Sequence, residues 1–420
     1  MNREKERIVV IGAGAAGMMA ACFAAQGGDP VLVLEKNEKT GKKIYITGKG
    51  RCNFTNLCDT EDFFSSIPRN PRFLYSSVYG FDAQAVRAWF EEHGVKTKEE
   101  RGSRAFPLSD HASDITRCLE NEMRRLGVQI RLRTQVQRLL MEDGHVSGVE
   151  LAGGEVIPAS RVIVATGGLS YPSTGSTGDG YDLARQAGHT VTETSPSLVP
   201  LNTLEEDIPL MQGLSLKNVQ LTIFDGRRKL FSQFGEMMFT HFGITGPLVL
   251  SASADIQKQI SRGYLEAEID LKPALDAEKL DERILREFAA SPNKALCNVA
   301  PALYPSRLVP VIIDRCGIEP HTPVHDITRA MRQALAQETK HFKMTLTSLR
   351  GYNEAIVTRG GVSVKEIDPA TMESRLCRGL YFAGEVLDVD GYTGGFNLQI
   401  AWSTGKAAGE GARETEGERI

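Results

Sequence analysis

The chain has 420 residues, enough for two or three domains, so a single small module is excluded. Hydrophobic residues at 41%, charged residues at 24% and a formal charge of -4 describe a folded protein, and they argue against disorder and against a broad electrostatic grip on nucleic acid or anionic membrane. Glycine, at 41 residues, is the compositional excess, and glycine is selected where backbone turns with positive φ or approaches a ligand closely. Seven scattered cysteines without CxxC spacing argue against a disulfide framework, a zinc knuckle or a dithiol relay, no metal-ligand pattern stands out, and a reducing cytoplasm fits best.

In chain order, Ile8 to Ala25 is uncharged and follows Lys5 and Arg7, which imitates a signal peptide or membrane span. Gly12, Gly14 and Gly17 divide it into a β-branched strand and an alanine-rich helix, a division no membrane reading requires. The string IVVIGAGAAGMMAACFAAQGGDPVLVLEK thus reads as strand, glycine turn, helix, turn at Gly27 to Pro30, and a second strand, Val31 to Leu34, ending at Glu35. Gly12 permits the tight turn, Gly14 with Ala15 and Ala16 admits a pyrophosphate to the helix amino terminus, and Gly17 lets the helix pack on the strand. Glu35, followed by Lys36, stands about twenty residues on, where an acid accepts hydrogen bonds from a ribose diol. That acid suits FAD or NAD and does not choose between them.

Next comes a basic, glycine-rich loop, GKKIYITGKGRCNFTN, with Lys42, Lys43, Thr47, Gly48, Gly50, Arg51, Cys52 and Asn53 as candidate cofactor contacts and a solvated turn as its plain alternative. A helix over Asp110 to Leu126 and a strand over Val128 to Arg133 are expected, then a meander with turns at Asp143-Gly144 and Gly153-Gly154 whose Val136 is a further candidate contact. RVIVATGG is an apolar strand running into Ala165, Thr166, Gly167 and Gly168. Near the carboxyl end, Leu380 to Ala383 is a buried strand followed by Gly384-Glu385, a loop carrying Asp388, Gly394 and Gly395, and a helix opening at Phe396, Asn397 and Leu398. An NAD domain alone does not need the last two segments, so the first motif is read as binding FAD non-covalently, the last helix aiming its dipole at the flavin pyrimidine ring.

These strings, with STGSTGDGY, MMFTHFGITGP and TRGGVSVKEI, closely resemble the BaiN-like, or YhiN-type, family of bacterial NAD(P)/FAD-dependent oxidoreductases, from residue 8 to about residue 411. The resemblance implies bound FAD, a flavin fold interrupted by an insert and, in one branch of the family, reduction of a double bond conjugated to the ketone of a bile acid. The chain departs from the family's usual serine in the basic loop, with Thr47 and Lys49, and carries Thr245 in GITGP. The expected fold is α/β: a Rossmann-like FAD-binding domain with a central parallel sheet (residues 1–192 and 355–420), interrupted by an insert over 193–354. The insert divides into a small β-barrel (about 193–272) and a helical bundle (about 273–342). Its strands are expected at Leu214 to Phe224, Lys229 to Gln233, Met237 to His241 and Tyr264 to Leu271, with Ile284, Leu285 and Phe288 on one buried helix face. The charged tail Glu410 to Arg419 reads as a frayed end.

Because a flavin carries the hard chemistry, the protein needs to position, polarise and supply a proton. Arg51, His241, Arg359 and Tyr392 are the candidates, each with a structural alternative: phosphate or strand-capping contact for Arg51, a satisfied strand-end ring for His241, a turn charge for Arg359 and packing beside the flavin for Tyr392. Without a second GxGxxG, NADH or NADPH is expected as a transient electron donor to a small-molecule reductase, with no nucleic acid or membrane partner. A flavoprotein acting on tRNA and a non-catalytic redox sensor are the alternatives.

Overall fold

The computed structural model describes residues 7–413; Lys5 and residues 414–419 of the charged tail lie outside that range, whereas Glu410 belongs to a helix. In chain order the elements that position the site are β1 (Ile8–Ile11), α1 (Ala15–Ala25), β2 (Val31–Leu34), α2 (Lys42–Ile46), α3 (Ala112–Arg125) and β3 (Gln129–Arg131). A meander of β4 (Val136–Glu142), β5 (His145–Leu151) and β6 (Val156–Pro158) leads into β7 (Arg161–Val164). There follow β8 (Leu201–Thr203), β9 (Ser215–Asp225), β10 (Arg228–Phe239), β11 (Gly243–Thr245), α4 (Pro247–Ile260), β12 (Leu265–Asp270), α5 (Ala277–Ala289), α6 (Arg329–Lys340) and β13 (Phe342–Leu349). The chain closes with β14 (Leu380–Phe382) and α7 (Phe396–Gly411). No helix among the described residues is long and apolar enough to cross a membrane.

Two compact units result, one running up to Pro196 and resuming at Ala355, the other Ser197–Glu354. The first is built on a parallel sheet in the order β14-β7-β1-β2-β3. Every residue of β1 and β2 is buried, as their unbroken β-branched and leucine runs require of strands covered on both faces. Sequence order therefore reverses between β1 and β7, and such a switch point opens a crevice at the carboxyl ends of the strands. On the sheet, α1 and α7 lie against each other along small residues. A Cβ at Gly405 would stand 2.6 Å from the Ala16 carbonyl oxygen, and one at Gly409 would stand 2.4 Å from that of Ala20. The pairing of 16 with 405 and 20 with 409 makes the helices parallel, and α7 overshoots the start of α1 by about 12 Å at 1.5 Å per residue.

The second unit is a closed antiparallel barrel in the order β8-β11-β10-β9-β12-β13, with its own apolar core. Three details differ from the sequence reading. The strands expected at Lys229 to Gln233 and Met237 to His241 are one strand, β10, which ends at Phe239 and leaves His241 in the following turn. The barrel's closing strand, β13, comes from beyond the helical stretch, where it pairs with both β8 and β12. On α5 the buried line is Leu280, Ile284 and Phe288, spaced four apart, while Leu285 is rotated off it and is 43% exposed.

Candidate functional site

The switch point brings the first glycine motif against the ATGG strand end. The Ala165 N–H donates to the Ile11 carbonyl at 2.9 Å, and Gly12, at φ +99°, lies so close that a Cβ would stand 2.6 Å from the Ala165 oxygen. Gly14 precedes α1 in extended conformation without a side-chain cap, and a Cβ there would meet nothing within 4 Å. The first turn of α1 thus offers N–H groups and a positive dipole end to an open cradle.

Beside the cradle, Glu35 is buried, and its carboxylate accepts from the Ala13 N–H at 2.7 Å, the Asn37 N–H at 2.8 Å and the Asn37 side-chain amide at 2.7 Å. The segment leading to Val136 is drawn to the same turn, Thr134 N–H donating to the Glu35 carbonyl at 2.9 Å. Lys36 pairs with Asp179 at 2.8 Å, and Lys42 reaches Glu38 at 3.3 Å. Asn37, which also donates to the Thr174 carbonyl at 3.1 Å, was not singled out from the sequence; its place two residues after the acid was the available signal.

The basic loop and the carboxyl-terminal loop meet at a second pole. Gly48, Lys49 and Gly50 are all left-handed, as is Cys52 at φ +58°, a conformation that costs a non-glycine residue about 1–3 kcal/mol and concentrates at functional sites. The chain then crosses the start of α7: Asn56 donates to the Gly394 carbonyl at 3.0 Å, Thr55 Oγ1 to Gln399 Oε1 at 2.6 Å, and Trp402 to the Phe54 carbonyl at 2.8 Å. Gly395, at φ +105°, passes so near that a Cβ would be 2.4 Å from the Thr55 carbonyl carbon. α7 likewise begins without a side-chain cap, Asn397 bracing the loop through the Gly391 N–H (2.8 Å) and carbonyl (2.7 Å). Phe396 is buried against Phe63, and Leu398 packs at the edge of the core. Asn53 Oδ1 is a buried oxygen with no hydrogen-bond partner.

One carboxylate ties four segments of the chain together. Glu385 accepts from Lys43 at 2.6 Å, from the Thr358 N–H at 2.9 Å and from Ser170, while Lys43 also donates to Ser170 Oγ at 2.6 Å. A Cβ at Gly168 would strike the Thr358 side chain at 2.5 Å, and Gly384 abuts Ala16. Asp388 is buried and forms a two-point pair with Arg69, so it anchors the loop. Thr47 Oγ1 donates to the Ile44 carbonyl at 2.6 Å. The Cys52 thiol is fully buried, which pushes its pKa up to about 12 and leaves it neutral.

The catalytic candidates separate. Arg51 is held by Glu100 and Asp110 and lies over the Phe106 ring at 4.2 Å, so its charge is neutralised within the fold. Those carboxylates raise its pKa further; Glu100 is itself lowered by Arg51, and Asp110 by Lys98 and then by Arg51. Tyr392 is half-buried on the loop before α7, its N–H donating to the Ser66 carbonyl at 3.0 Å. Arg359 ends the short strand Val357–Arg359, one residue from the Glu385 network. His241 belongs to the second unit, exposed in the turn between β10 and β11 with its ring edge-on to Phe242 at 5.0 Å.

Two uncapped, parallel helix ends over a switch point, one with an acid at ribose distance and the other about 12 Å further out, fit the two ends of an extended dinucleotide. This is the architecture of a two-segment dinucleotide-binding flavoprotein. The family described as HI0933-like protein Rossmann domain matches residues 6–411, and the chain belongs to it; it is a FAD-dependent oxidoreductase. It is 35% identical to a 3-dehydro-bile acid delta(4,6)-reductase of Clostridium scindens, over 97% of this chain and 99% of that one. It is 36% identical to a ribosomal RNA dihydrouridine synthase of Haemophilus influenzae, over 97% and 98%, and 33% identical to one of Escherichia coli, over the same shares. Among solved structures, a 3-ketosteroid-delta4-(5alpha)-dehydrogenase of Rhodococcus jostii shares the fold, with TM-score 0.51, 16% identity and coverage of 98% and 97%.

Proposed function

We propose that the protein saturates a carbon-carbon double bond conjugated to a carbonyl in a small molecule, with electrons supplied by NADH or NADPH. One observation carries this reading: a relative aligned over nearly its whole length is a 3-dehydro-bile acid delta(4,6)-reductase, and double bonds at those positions are conjugated to a ketone at position 3. The flavin, when bound, supplies hydride to the electron-poor carbon. The chain's own residues bind and orient. Gly14, Ala15 and Ala16 offer α1's N–H groups to the pyrophosphate, and Glu35 takes the ribose hydroxyls. Gly394, Gly395 and Asn397 set α7's positive end toward the pyrimidine edge, with Asn53 Oδ1 free to accept a hydrogen bond from it. Arg359 polarises the substrate carbonyl and Tyr392 delivers the proton, while Arg51, already neutralised, holds the basic loop.

A second reading rests on the two dihydrouridine synthases, because a uracil double bond is likewise conjugated to a carbonyl. The exposed cations Arg227, Arg228 and Lys229 and the exposed ring of Phe234, on one hairpin, favour RNA contact. Anaerobic mixing tests both. NADH or NADPH is expected to bleach the bound flavin, and a cyclic conjugated ketone to restore its colour with one saturated product per flavin. A flavin indifferent to both nicotinamides, or restored by oxygen alone, contradicts the proposal; dihydrouridine in an added ribosomal RNA transcript, with ketones inert, selects the second reading.

A further inference from the structure

The second unit holds a cavity whose lining shares no residue with those assigned to the flavin. It has a volume of about 380 Å³, and Lys272, Lys279, Arg283 and Arg286 line it with Glu282 as the sole acid among the described residues. Three of the cations project from α5, and Lys272 follows β12. Lys340 fixes the rim beside it, donating to the carbonyls of Lys272 (3.2 Å) and Leu275 (2.7 Å) while paired with Asp270 at 2.6 Å.

The charges in this wall are unevenly matched. Lys279 pairs with Asp276 at 3.0 Å and Arg283 with Glu287 at 2.8 Å. The side chains of Lys272 and Arg286 make no ion pair or hydrogen bond among the described residues. Glu282 is exposed and binds neither. Lys272 is half-buried, and burial, then the neighbouring Arg283, pushes its pKa down, so its charge is held where loss of water and a like-charged neighbour disfavour it. Gathering like charges around a concavity without counter-charge costs stability, and an anion entering it reverses the sign of that cost. Two unmatched cations suit the two charges of a phosphoryl group better than the single charge of a carboxylate, and a guanidinium fork binds phosphate oxygens in pairs. The volume is that of a small-molecule site, and buried Leu303 and Tyr304 add an apolar wall.

We infer that this cavity is a phosphoryl-binding site in which Lys272 and Arg286 are the principal ligands. The phosphoryl group belongs either to a free nucleotide or to a strand of RNA, and the inference is independent of which double bond the flavin reduces.

The test uses the flavin-saturated protein at 150 mM salt, so that the dinucleotide site is filled. Binding of ADP and inorganic pyrophosphate is measured by calorimetry, and binding of a fluorescent twelve-nucleotide RNA by anisotropy, in the wild type, in Lys272→Gln/Arg286→Gln and in the milder, surface variant Arg286→Gln. At least one probe is expected to bind the wild type, at least tenfold more weakly in the double variant and at least threefold more weakly in the single one, with flavin absorbance unchanged and melting temperature no lower than that of the wild type. ADP or pyrophosphate binding and displacing the RNA assigns a free nucleotide; RNA binding that neither displaces assigns a strand. The inference is overturned if no probe binds, or if binding survives both substitutions.

Discussion

At the residue scale, Glu35 performs two tasks with one carboxylate. It closes the turn after β2 through the N–H groups of Ala13 and Asn37, and in the proposed reading it also receives the ribose hydroxyls. Glu35→Gln keeps the shape and removes the charge, and hydrogen bonds to a charged group contribute about 1.5–3 kcal/mol. FAD affinity, measured by fluorescence quenching on apoprotein, should therefore fall by roughly tenfold to more than a hundredfold; an unchanged affinity would remove Glu35 from the ribose. A second residue, His189, concerns stability. Its ring is buried between Ser374 Oγ at 2.7 Å and Glu366 at 3.2 Å, edge-on to Phe382. Burial lowers its pKa, and Glu366 opposes that only in part. The folded state keeps this imidazole neutral where the unfolded chain would protonate it, so the stability it contributes is present above the ordinary histidine value near 6.5 and is lost as pH falls through it. Melting temperature should drop between pH 7.5 and 5.5, and the drop should be smaller in His189→Gln; equal slopes in the two proteins would refute the assignment.

At the scale of elements, the contact between α1 and α7 sets the distance between the two uncapped helix ends, and it depends on Gly405 and Gly409 having no side chain. Gly405→Ala gains helix propensity but places a methyl group 2.6 Å from the Ala16 oxygen, inside contact distance. Overpacking of this kind costs about 1–3 kcal/mol, so the variant should melt several degrees lower and lose flavin more readily; equal stability would mean that the helices separate freely. Why these helices were legible and other elements were not is a matter of range. Gly12, Gly14 and Gly17 report a local backbone need, and β1 and β2 announce burial by unbroken apolar runs. α4 carries a start signal in Gly246-Pro247, proline being suited to the first helical position, but its buried side mixes the polar Ser253 and Gln257 with Val249, Ala252 and Ile256, which blurs the apolar period. β13 follows α6 after His341 alone, with no glycine or proline to mark the change. Charge partners were least legible. Arg51 sits in a loop that looks made for phosphate, yet its two carboxylates come from positions 100 and 110, and only the folded chain brings them there.

At the scale of the whole molecule, the flavin domain is completed only after the barrel unit has been traversed. β14 and α7, which supply one edge of the parallel sheet and one of the two helix ends, come from beyond Ala355. Each unit has its own core: Trp402, Phe54 and Phe382 are among the largest buried side chains of the first, and Phe239 and Phe342 face each other at 6.1 Å in the second. All the residues assigned to FAD lie in the first. A ligand that binds one folded unit stabilises that unit by RT ln(1 + [L]/Kd), about 2.7 kcal/mol at a hundredfold excess over Kd, and leaves an independent core where it was. Calorimetry of the apoprotein should therefore show two transitions, and added FAD should raise one of them and leave the other in place. Substituting Glu35→Gln should shrink the FAD-induced shift without touching the second transition, whereas Lys272→Gln/Arg286→Gln should leave the FAD shift intact. A single transition that FAD moves as a whole would mean that the two cores melt together and that the continuity of the chain through Pro196 and Ala355 couples them.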